Sequence, residues 1–186
     1  KVIKMSETER FKKKRYQLVE DLKRKGIIKT EEVYKAMKRV PRHMFVPEEF
    51  REEAYIDSPL QIGHKQTISA PHMNAMMCEY LDLKKGNKVL EVGTGSGYHA
   101  ALLAEIIGEK GRIFTIERIS NLAEKASKIF NELGYSNVEV VVGDGSLGYQ
   151  KEAPYDRILV TAACPNIIEE LKNQLSKKQS KMCLPV

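Results

Sequence analysis

The pattern of apolar and polar positions changes along the chain near Lys88. From there on, short apolar runs typical of buried strands alternate with helical segments of about ten to fifteen residues. The apolar runs that we predict as strands are KVLEV, RIFTIE, VEVVVGDG, YDRILVTAA and KMCLPV. Helices are expected over residues 97–107, 119–133 and 166–175. Because strands and helices alternate, the pattern predicts right-handed βαβ units and a parallel sheet.

The part of the chain before these strands is mostly helical. Ser6 begins a capping-box pattern, and Gly26 is expected to end the helix that follows it. Thr30 can cap a second helix, which Pro41 terminates. Helical spacing resumes over residues 70–81. The sequence between the second and third helices indicates turns and short extended pieces.

The size and composition predict one α/β domain. With 186 residues, of which 42% are hydrophobic, the chain suits a single soluble domain with its own core. We expect a helical extension and a polar segment over residues 1–80, and the sheet with its helices over residues 81–186. No run of about eighteen apolar residues occurs, so the sequence predicts no membrane span.

A glycine-rich turn, EVGTGSG at residues 91–97, connects the first predicted strand of the sheet to a helix. Glycines at this place allow a tight turn and a close approach of a ligand to the main chain. Glu117 ends the second strand, where a carboxylate can accept both ribose hydroxyls of an adenosine. Asp144 follows the third strand in the loop GDG, where it could bond to an adenine amino group.

Two cofactors compete for this turn. A dinucleotide motif, GxGxxG, would need a third glycine where Tyr98 stands. The observed GxGxG spacing follows an acidic residue, Glu91, and S-adenosylmethionine carries an ammonium and a sulfonium that a nearby carboxylate favours. We therefore predict S-adenosylmethionine as the cofactor. In this part of the chain its predicted contacts are Glu91, Gly93, Thr94, Gly95, Gly97, Glu117, Asp144 and Gly145.

The residues alone do not identify the methyl acceptor. Amino methyltransferases of nucleic acids often carry (Asp/Asn)-Pro-Pro-(Tyr/Phe) after the fourth strand, whereas this chain reads VTAACPN. Cys164 beside Pro165 resembles the pair of cytosine-type enzymes, but we expect Cys164 to be a packing residue. An enzyme that methylates RNA or a small molecule remains the alternative, because one scaffold serves many acceptors.

The segments DSPLQIGHKQTISAPHMNAMM, VLEVGTGSGYHAALLA and GDGSLGYQKEAPYDRILVTAA resemble the protein-L-isoaspartate O-methyltransferase family. The resemblance runs from about Val33 to the last residue, and TISAPH is its most specific part. It implies a class I S-adenosylmethionine-dependent methyltransferase with a Rossmann-like, doubly wound, mostly parallel sheet. The implied reaction methylates the free α-carboxylate of L-isoaspartyl residues in damaged proteins, with D-aspartyl residues as a second candidate substrate, and starts repair through a succinimide.

The resemblance also assigns roles within the polar segment. It implies that Ser69 is the catalytic residue, which we expect to orient the acceptor carboxylate, and that Thr67 borders the substrate. We also expect Asp57 to contact the substrate. Asp57 precedes Ser58-Pro59, so a turn-capping role is its alternative. The further cofactor contacts that it implies are Gln66, Ile68 and Asn74. Family members usually continue beyond the end of this chain, so we expect C-terminal strands to be missing.

The charge and the cysteines restrict the partners. Residues 1–25 carry ten Lys or Arg against four Asp or Glu, which accounts for the whole net charge of +6. We expect a solvated basic helix and no nucleic-acid partner, with a contact to nucleic acid or an acidic protein as the alternative. Three scattered cysteines favour neither disulfides nor a metal site and fit a reducing cytoplasm. The resemblance implies isoaspartyl proteins as partners, and we expect the protein to be a monomer.

Overall fold

The sheet and its helices occupy the order that the apolar pattern predicts. The computed structural model describes residues 7–162 and 168–185. Its helices are α1 (Glu7–Arg24), α2 (Glu31–Arg39), α3 (Pro71–Leu81), α4 (Tyr98–Ile107), α5 (Ser120–Leu133) and α6 (Glu169–Lys172). Its strands are β1 (Leu60–Gly63), β2 (Gln66–Ile68), β3 (Lys88–Val92), β4 (Arg112–Glu117), β5 (Val138–Val142), β6 (Arg157–Val160) and β7 (Lys181–Cys183).

Strands β3 to β7 form one parallel sheet in the order β5-β4-β3-β6-β7. Leu90 of β3 lies opposite Phe114 of β4 and Ile158 of β6. The strand order reverses between β3 and β6, and ligands of doubly wound sheets bind at such a reversal, outside the carboxyl ends of the strands. The predicted class of fold is therefore confirmed.

Two apolar clusters cover the two faces of the sheet. Val89 belongs to the cluster that includes buried side chains of α1 to α5, whereas its neighbour Leu90 belongs to the other cluster. Successive residues of a strand point to opposite faces, so a run such as KVLEV is buried on both. Helix α4 is buried nearly all round, which explains why its sequence, YHAALLAEII, lacks a polar face.

The N-terminal helices end as the sequence predicts. Gly26 has a φ of +72° two residues after the end of α1, and the Thr30 hydroxyl accepts a hydrogen bond from Val33 N at 3.4 Å to cap α2. The Glu79 carboxylate on α3 accepts hydrogen bonds from Lys29 N and Thr30 N at 2.8 and 2.9 Å. This carboxylate fastens the extension to the helix that leads into the sheet. Ser6 lies outside the described residues.

Three local predictions differ from the structure. Of the helix expected over residues 166–175 the structure describes α6, which ends before Leu175, and Leu175 pairs with Tyr155 in a parallel bridge instead. Residues 163–167 lie outside the described part, and Cys164 with them. The turns expected after α2 are 3-10 helices at Arg42–Phe45 and Glu48–Glu53.

The third difference is a β-hairpin of β1 and β2, where turns and short extended pieces were expected. His64 and Lys65 connect the strands with φ values of +52° and +58°. Two consecutive left-handed residues fit the twist of a tight hairpin, although Asn-Gly or Asp-Gly usually fills this place. The hairpin holds residues 60–68 in an extended form.

Candidate active site

The predicted cofactor and acceptor residues meet at the carboxyl edge of the sheet. A cavity of about 590 Å³ opens there, a usual size for a small-ligand site. One wall is the turn after β3, and the other is residues 66–74, named here the acceptor segment. The predicted site residues that line the cavity are Gln66, Thr67, Ile68, Ser69, Asn74, Gly93, Thr94, Gly95, Glu117, Asp144 and Gly145.

Gly93 is the point at which the turn depends most on glycine. Its φ is +98°, and a Cβ atom there would stand 2.3 Å from Thr161 Oγ1. The Thr161 hydroxyl lies 2.7 Å from the Gly93 carbonyl oxygen and 3.0 Å from that of Val92, and it donates to them. The turn is therefore fixed to the end of β6, and it presents bare backbone to the cavity.

Two other predicted glycines serve packing around the same turn. A Cβ atom on Gly97 would approach Phe130 Cζ to 2.8 Å, so this glycine lets α4 and α5 come close. Gly97 does not line the cavity, and its cofactor role stays a prediction. A Cβ atom on Gly145 would stand 2.4 Å from Val92 Cγ1, so this glycine lets the loop after β5 pack onto β3.

Glu117 places a carboxylate at the end of β4, inside the cavity wall. Its Oε2 accepts a hydrogen bond from Gly95 N at 2.9 Å and its Oε1 one from Ile119 N at 3.0 Å. Each carboxylate oxygen has a second lone pair, so both oxygens can also accept from a ligand. Two neighbouring acceptors suit the paired hydroxyls of a ribose, as the sequence predicts.

Asp144 lies at the rim of the cavity after β5. Its Oδ1 accepts hydrogen bonds from the Ser146 backbone N at 2.9 Å and from Ser146 Oγ at 2.8 Å. These two bonds lower the pKa of the Asp144 carboxyl below its ordinary value. Both bonds use Oδ1, so within the described part of the chain Oδ2 remains available to accept from a ligand amino group.

Glu91 lies behind the cavity wall and is fully buried, with 0% exposure. The Thr115 hydroxyl donates to Glu91 Oε2 at 2.5 Å and lies 2.7 Å from the Thr94 hydroxyl, which does line the cavity. Oε1 of Glu91 has no hydrogen-bond partner in the described residues. Burial raises the pKa of Glu91 to about 8. The attraction to a cofactor charge that the sequence suggested for Glu91 stays a prediction, and the geometry connects it to the cavity through two threonines.

The raised pKa of Glu91 predicts a dependence of stability on pH. The folded state holds a proton that the unfolded state releases above about pH 4.3, so the free energy of unfolding falls as the pH rises from there toward 8. The slope approaches about 1.4 kcal/mol per pH unit. Glu91→Gln removes this loss. In urea unfolding, the free energy of unfolding of the variant relative to the wild type should therefore be higher at pH 8 than at pH 5.

A matched control for Glu91→Gln is Glu124→Gln, at an exposed position on α5. Its free energy of unfolding should follow the wild type at both pH values. If Glu91→Gln also ran parallel to the wild type, the carboxyl would be charged in the folded protein and the direction of the pKa shift would be wrong.

The acceptor segment presents two free hydroxyls. Thr67 is exposed on β2 and Ser69 is half-buried directly after it, and neither hydroxyl forms a hydrogen bond within residues 7–162 and 168–185. Ile68, between them, is buried in the larger apolar cluster and anchors the segment. Gln66 lies at the start of β2, and its side-chain amide donates to the His64 carbonyl at 3.4 Å.

Asn74, the last residue of the acceptor segment, bonds back to the backbone of that segment. Its amide is oriented with Nδ2 donating to the Ser69 and Ala70 carbonyls at 3.1 and 3.3 Å and Oδ1 accepting from His99 Nδ1 at 3.1 Å. The opposite orientation would offer Oδ1 to Arg42 Nη1 at 3.5 Å, but it would set that oxygen against two carbonyls. The first orientation is therefore favoured, and Asn74 both lines the cavity and positions Ser69.

His99 lines the cavity, although the sequence did not indicate it as a site residue. It is buried beside the cavity, and burial lowers its pKa to about 3, so the ring is neutral. A neutral ring with its proton on Nδ1 donates to Asn74, while Nε2 lies 3.5 Å from the Cys78 sulfur. The one available signal was its position in the first turn of the helix after the glycine turn.

Asp57 lies away from the main cavity. Its Oδ1 accepts hydrogen bonds from the His72 backbone N and from His72 Nδ1, both at 2.9 Å, at the start of α3. It thus caps the helix that follows the acceptor segment. It lines a separate groove beside α1, with Glu52 and Ile56 among its neighbours. Its contact with a substrate stays a prediction.

The described residues offer neither a cluster of metal ligands nor a membrane-spanning helix. Within residues 7–162 and 168–185, no group of three or more His, Cys, Asp or Glu side chains is arranged to hold a metal ion. None of the helices in this part of the chain combines the length and the apolar character that crossing a membrane requires.

The site fits S-adenosylmethionine. The Glu117 carboxylate suits the ribose, Asp144 suits the adenine amino group, and Gly93 lines the cavity with backbone alone. Together with the reversal of strand order at β3, these features define an S-adenosylmethionine-dependent methyltransferase. The family profile described as protein-L-isoaspartate(D-aspartate) O-methyltransferase matches residues 13–186. The chain belongs to this family.

Curated relatives and solved structures agree with this assignment. The chain is 57% identical to protein-L-isoaspartate O-methyltransferase 2 of Archaeoglobus fulgidus, over 95% of this chain and 80% of the relative. It is 55% identical to the Methanopyrus kandleri enzyme of the same name, over 95% of this chain and 78% of the relative.

Two solved structures superpose on most of the chain. A protein-L-isoaspartate O-methyltransferase matches with a TM-score of 0.81 and 32% identity, over 92% of this chain and 55% of that chain. A Plasmodium falciparum protein assigned to the same enzymes, in complex with S-adenosyl-L-homocysteine, matches with a TM-score of 0.81 and 29% identity, over 92% of this chain and 83% of that chain.

Proposed function

We propose that this chain transfers the methyl group of S-adenosylmethionine to the free α-carboxylate of L-isoaspartyl residues in damaged proteins. The product ester starts repair through a succinimide, and D-aspartyl residues are a second substrate class. The observation that carries the proposal is the pair of free hydroxyls, Thr67 and Ser69, at a cavity where no described histidine or carboxylate bonds to either. Membership of the family supports the same reaction.

The chemistry explains why such a site needs no general base. In an isoaspartyl linkage the backbone runs through the β-carbonyl, so the α-carboxyl becomes the side group. Its pKa is near 3.5, so it arrives ionised at neutral pH. When bound, S-adenosylmethionine supplies an electrophilic methyl group on a sulfonium. The protein therefore has to align the reacting atoms and exclude water, and such positioning can contribute about 7–11 kcal/mol.

The described residues divide this task. Glu117 and the Gly93 backbone hold the cofactor side, because they line the cavity at the ends of β3 and β4. The Ser69 hydroxyl donates to the acceptor carboxylate and fixes its direction. Asn74 keeps Ser69 in place through the Ser69 carbonyl, and neutral His99 orients the Asn74 amide. The bonds from His99 through Asn74 to the Ser69 carbonyl join neutral groups, which suits positioning rather than proton transfer.

A labelled-methyl assay tests the proposed function. Isoaspartyl peptide, its aspartyl twin and RNA are offered side by side. The aspartyl carboxylate carries the same charge but sits one methylene farther from its backbone, so it misses the in-line position. We expect transfer to the isoaspartyl peptide and almost none to the other two. Equal rates on the two peptides would contradict the proposal, and preferred transfer to RNA would favour the alternative acceptor.

Ser69→Ala is predicted to lower turnover about tenfold or more while S-adenosylhomocysteine affinity changes little. The lost hydrogen bond to a charged acceptor corresponds to about 1.5–3 kcal/mol. Initial rates with the isoaspartyl peptide and calorimetric binding measure the two quantities. Ser127→Ala removes a hydroxyl that bonds to Ala123 on α5, and it should leave both unchanged. Wild-type turnover in Ser69→Ala would remove Ser69 from the site.

We further propose that the protein works as a monomer in the cytoplasm. Cys78 is buried and Cys183 is half-buried, and both are free thiols. Burial raises the pKa of each thiol, which keeps them protonated and unreactive. Both walls of the cavity, the turn after β3 and the acceptor segment, come from the same chain, which supports the monomer. Sedimentation at the mass of one subunit would support the monomer, and a larger mass would overturn it.

A further inference from the structure

Arg42, in the first 3-10 helix, is a fully buried arginine with few partners. Its exposure is 0%, and its Nε donates to the Ala54 carbonyl at 2.8 Å. Nη2 has no hydrogen-bond partner among the described residues. In the same part of the chain no carboxylate forms an ion pair with it, and Asp57, whose charge acts on it through space, bonds to His72 instead. A buried, unpaired charge is costly, so its presence calls for a reason.

Arg157 shows how the same fold satisfies a buried arginine that has only a structural role. It lies on β6 and is 5% exposed. Its Nε and both Nη groups donate to four backbone carbonyls, at 2.5 to 2.9 Å. These belong to Leu81, Asp82, Asp156 and Gln179. Its N–H groups are engaged by the backbone, whereas those of Arg42 are largely unused.

Arg42 stands directly behind the place where the two walls of the cavity meet. Its Nη1 lies 3.5 Å from the Asn74 amide, and that amide lies 3.1 Å from the Ser69 carbonyl. Its guanidinium carbon lies 5.0 Å from the ring centre of Tyr98, the first residue of α4 after the glycine turn. Burial lowers the pKa of Arg42, but arginine starts so high that it stays protonated at neutral pH.

We propose that Arg42 is a positioning residue that supplies a fixed buried positive charge for the acceptor carboxylate. The inference rests on the proposed function, since it needs an anionic acceptor bound at Ser69. A charge in a buried environment acts more strongly over a given distance than the same charge in water. Arg42 therefore attracts the carboxylate through the acceptor segment without touching it, and it favours an anionic acceptor over a neutral one.

The reaction itself predicts which kinetic constant depends on Arg42. The acceptor oxygen forms a new C–O bond while the electron pair of the breaking C–S bond goes to sulfur, so a carboxylate and a sulfonium become a neutral ester and a neutral thioether. The negative charge is therefore greatest before transfer and smaller in the transition state. A fixed cation stabilises the bound substrate at least as much as the transition state, so its loss should raise KM and not lower kcat.

The test compares neutral and charged replacements of Arg42. In Arg42→Met and Arg42→Gln, the KM for an isoaspartyl peptide should rise about tenfold, which corresponds to about 1.4 kcal/mol, with kcat unchanged or higher. Arg42→Lys keeps the charge and should restore most of the affinity. Arg157→Met is the matched control, because it removes a buried arginine elsewhere, and its KM should match the wild type.

A second readout needs no methyl transfer. The sulfonium must bind next to the acceptor carboxylate, so Arg42 repels S-adenosylmethionine but not the uncharged sulfur of S-adenosylhomocysteine. The ratio of the two dissociation constants, measured by calorimetry, should shift toward tighter S-adenosylmethionine in Arg42→Met and not in Arg42→Lys or Arg157→Met. This ratio distinguishes the inference from the proposed function. If the wild type does not methylate isoaspartyl peptide, the proposed function is wrong, but the ratio still reports the effect of the Arg42 charge.

Three results would overturn the role of Arg42. One is a wild-type KM and a wild-type ratio in either folded neutral variant. Another is an equal loss of kcat in Arg42→Met and Arg42→Lys, which would indicate a structural defect. The third is failure of both neutral variants to fold while Arg157→Met folds, which would assign Arg42 to stability alone.

Discussion

Replacing Glu117 with glutamine should weaken S-adenosylhomocysteine binding by at least about a hundredfold. A hydrogen bond to a charged group contributes about 1.5–3 kcal/mol, and this carboxylate can accept from two ribose hydroxyls. The glutamine amide also brings N–H groups toward Gly95 N or Ile119 N, which now donate to the carboxylate at 2.9 and 3.0 Å. The variant therefore loses ligand contacts and disturbs the turn that presents the cofactor. Calorimetric titration measures the dissociation constant.

Glu139→Gln is the control for Glu117→Gln. It removes a carboxylate from the neighbouring strand β5, where Glu139 is exposed and pairs with Arg112 at 3.4 Å. Exposed ion pairs contribute little to stability, and this one lies outside the cavity lining. Its affinity should match the wild type. If Glu117→Gln bound the ligand as tightly as this control, Glu117 would have no part in the cofactor site.

Gly93→Ala should cost about 2–5 kcal/mol of the free energy of unfolding and should also abolish tight cofactor binding. A left-handed φ costs an alanine about 1–2 kcal/mol, and overpacking adds about 1–3 kcal/mol. The clash is severe here, because the new Cβ atom would stand 2.3 Å from Thr161 Oγ1. That hydroxyl would have to leave the two carbonyls that it bonds, which moves the floor of the cavity. Urea unfolding and calorimetry measure both effects.

Two further variants separate the backbone strain from the clash. Gly134 ends α5 with a φ of +77°, and a Cβ atom there would meet nothing within 4 Å. Gly134→Ala should therefore cost only the strain and leave cofactor affinity unchanged. Adding Thr161→Ala to Gly93→Ala removes the clashing hydroxyl and should recover part of the lost stability. If Gly93→Ala and Gly134→Ala cost the same, the contact with Thr161 would not matter.

Several parts of this protein could be predicted because their signals are local. The strands β3, β4 and β6 are continuous apolar runs or nearly so, since they lie inside the sheet and both of their faces are buried. The glycine turn can be recognised in the sequence because its residues must adopt a positive φ, as Gly93 and Gly97 do. Thr30 caps the start of α2 and Gly26 follows the end of α1, each through a hydrogen bond to a residue three positions away. In each case the cause lies within a short stretch of the sequence.

Local patterns failed where a distant partner decides the conformation. The hairpin at residues 60–68 carries no common turn signature, and the helix expected over residues 166–175 yields to the pairing of Leu175 with Tyr155. The bonds of Asp57 to His72 were not predictable for the same reason, because they cross between a loop and α3. Such pairings join residues far apart in sequence, so a window of neighbours does not contain them.

The sequence by itself determined the order of the elements, the cofactor and, through the acceptor segment, the resemblance that points to the acceptor. Only the tertiary structure decided how the site is charged and held. Burial, which depends on the packing of the whole domain, makes Glu91 retain a proton and His99 stay neutral. The same packing brings Arg42 of the extension behind Ser69, through Asn74. Charge states and contacts between elements follow from desolvation and proximity in space, which no local pattern of residues specifies.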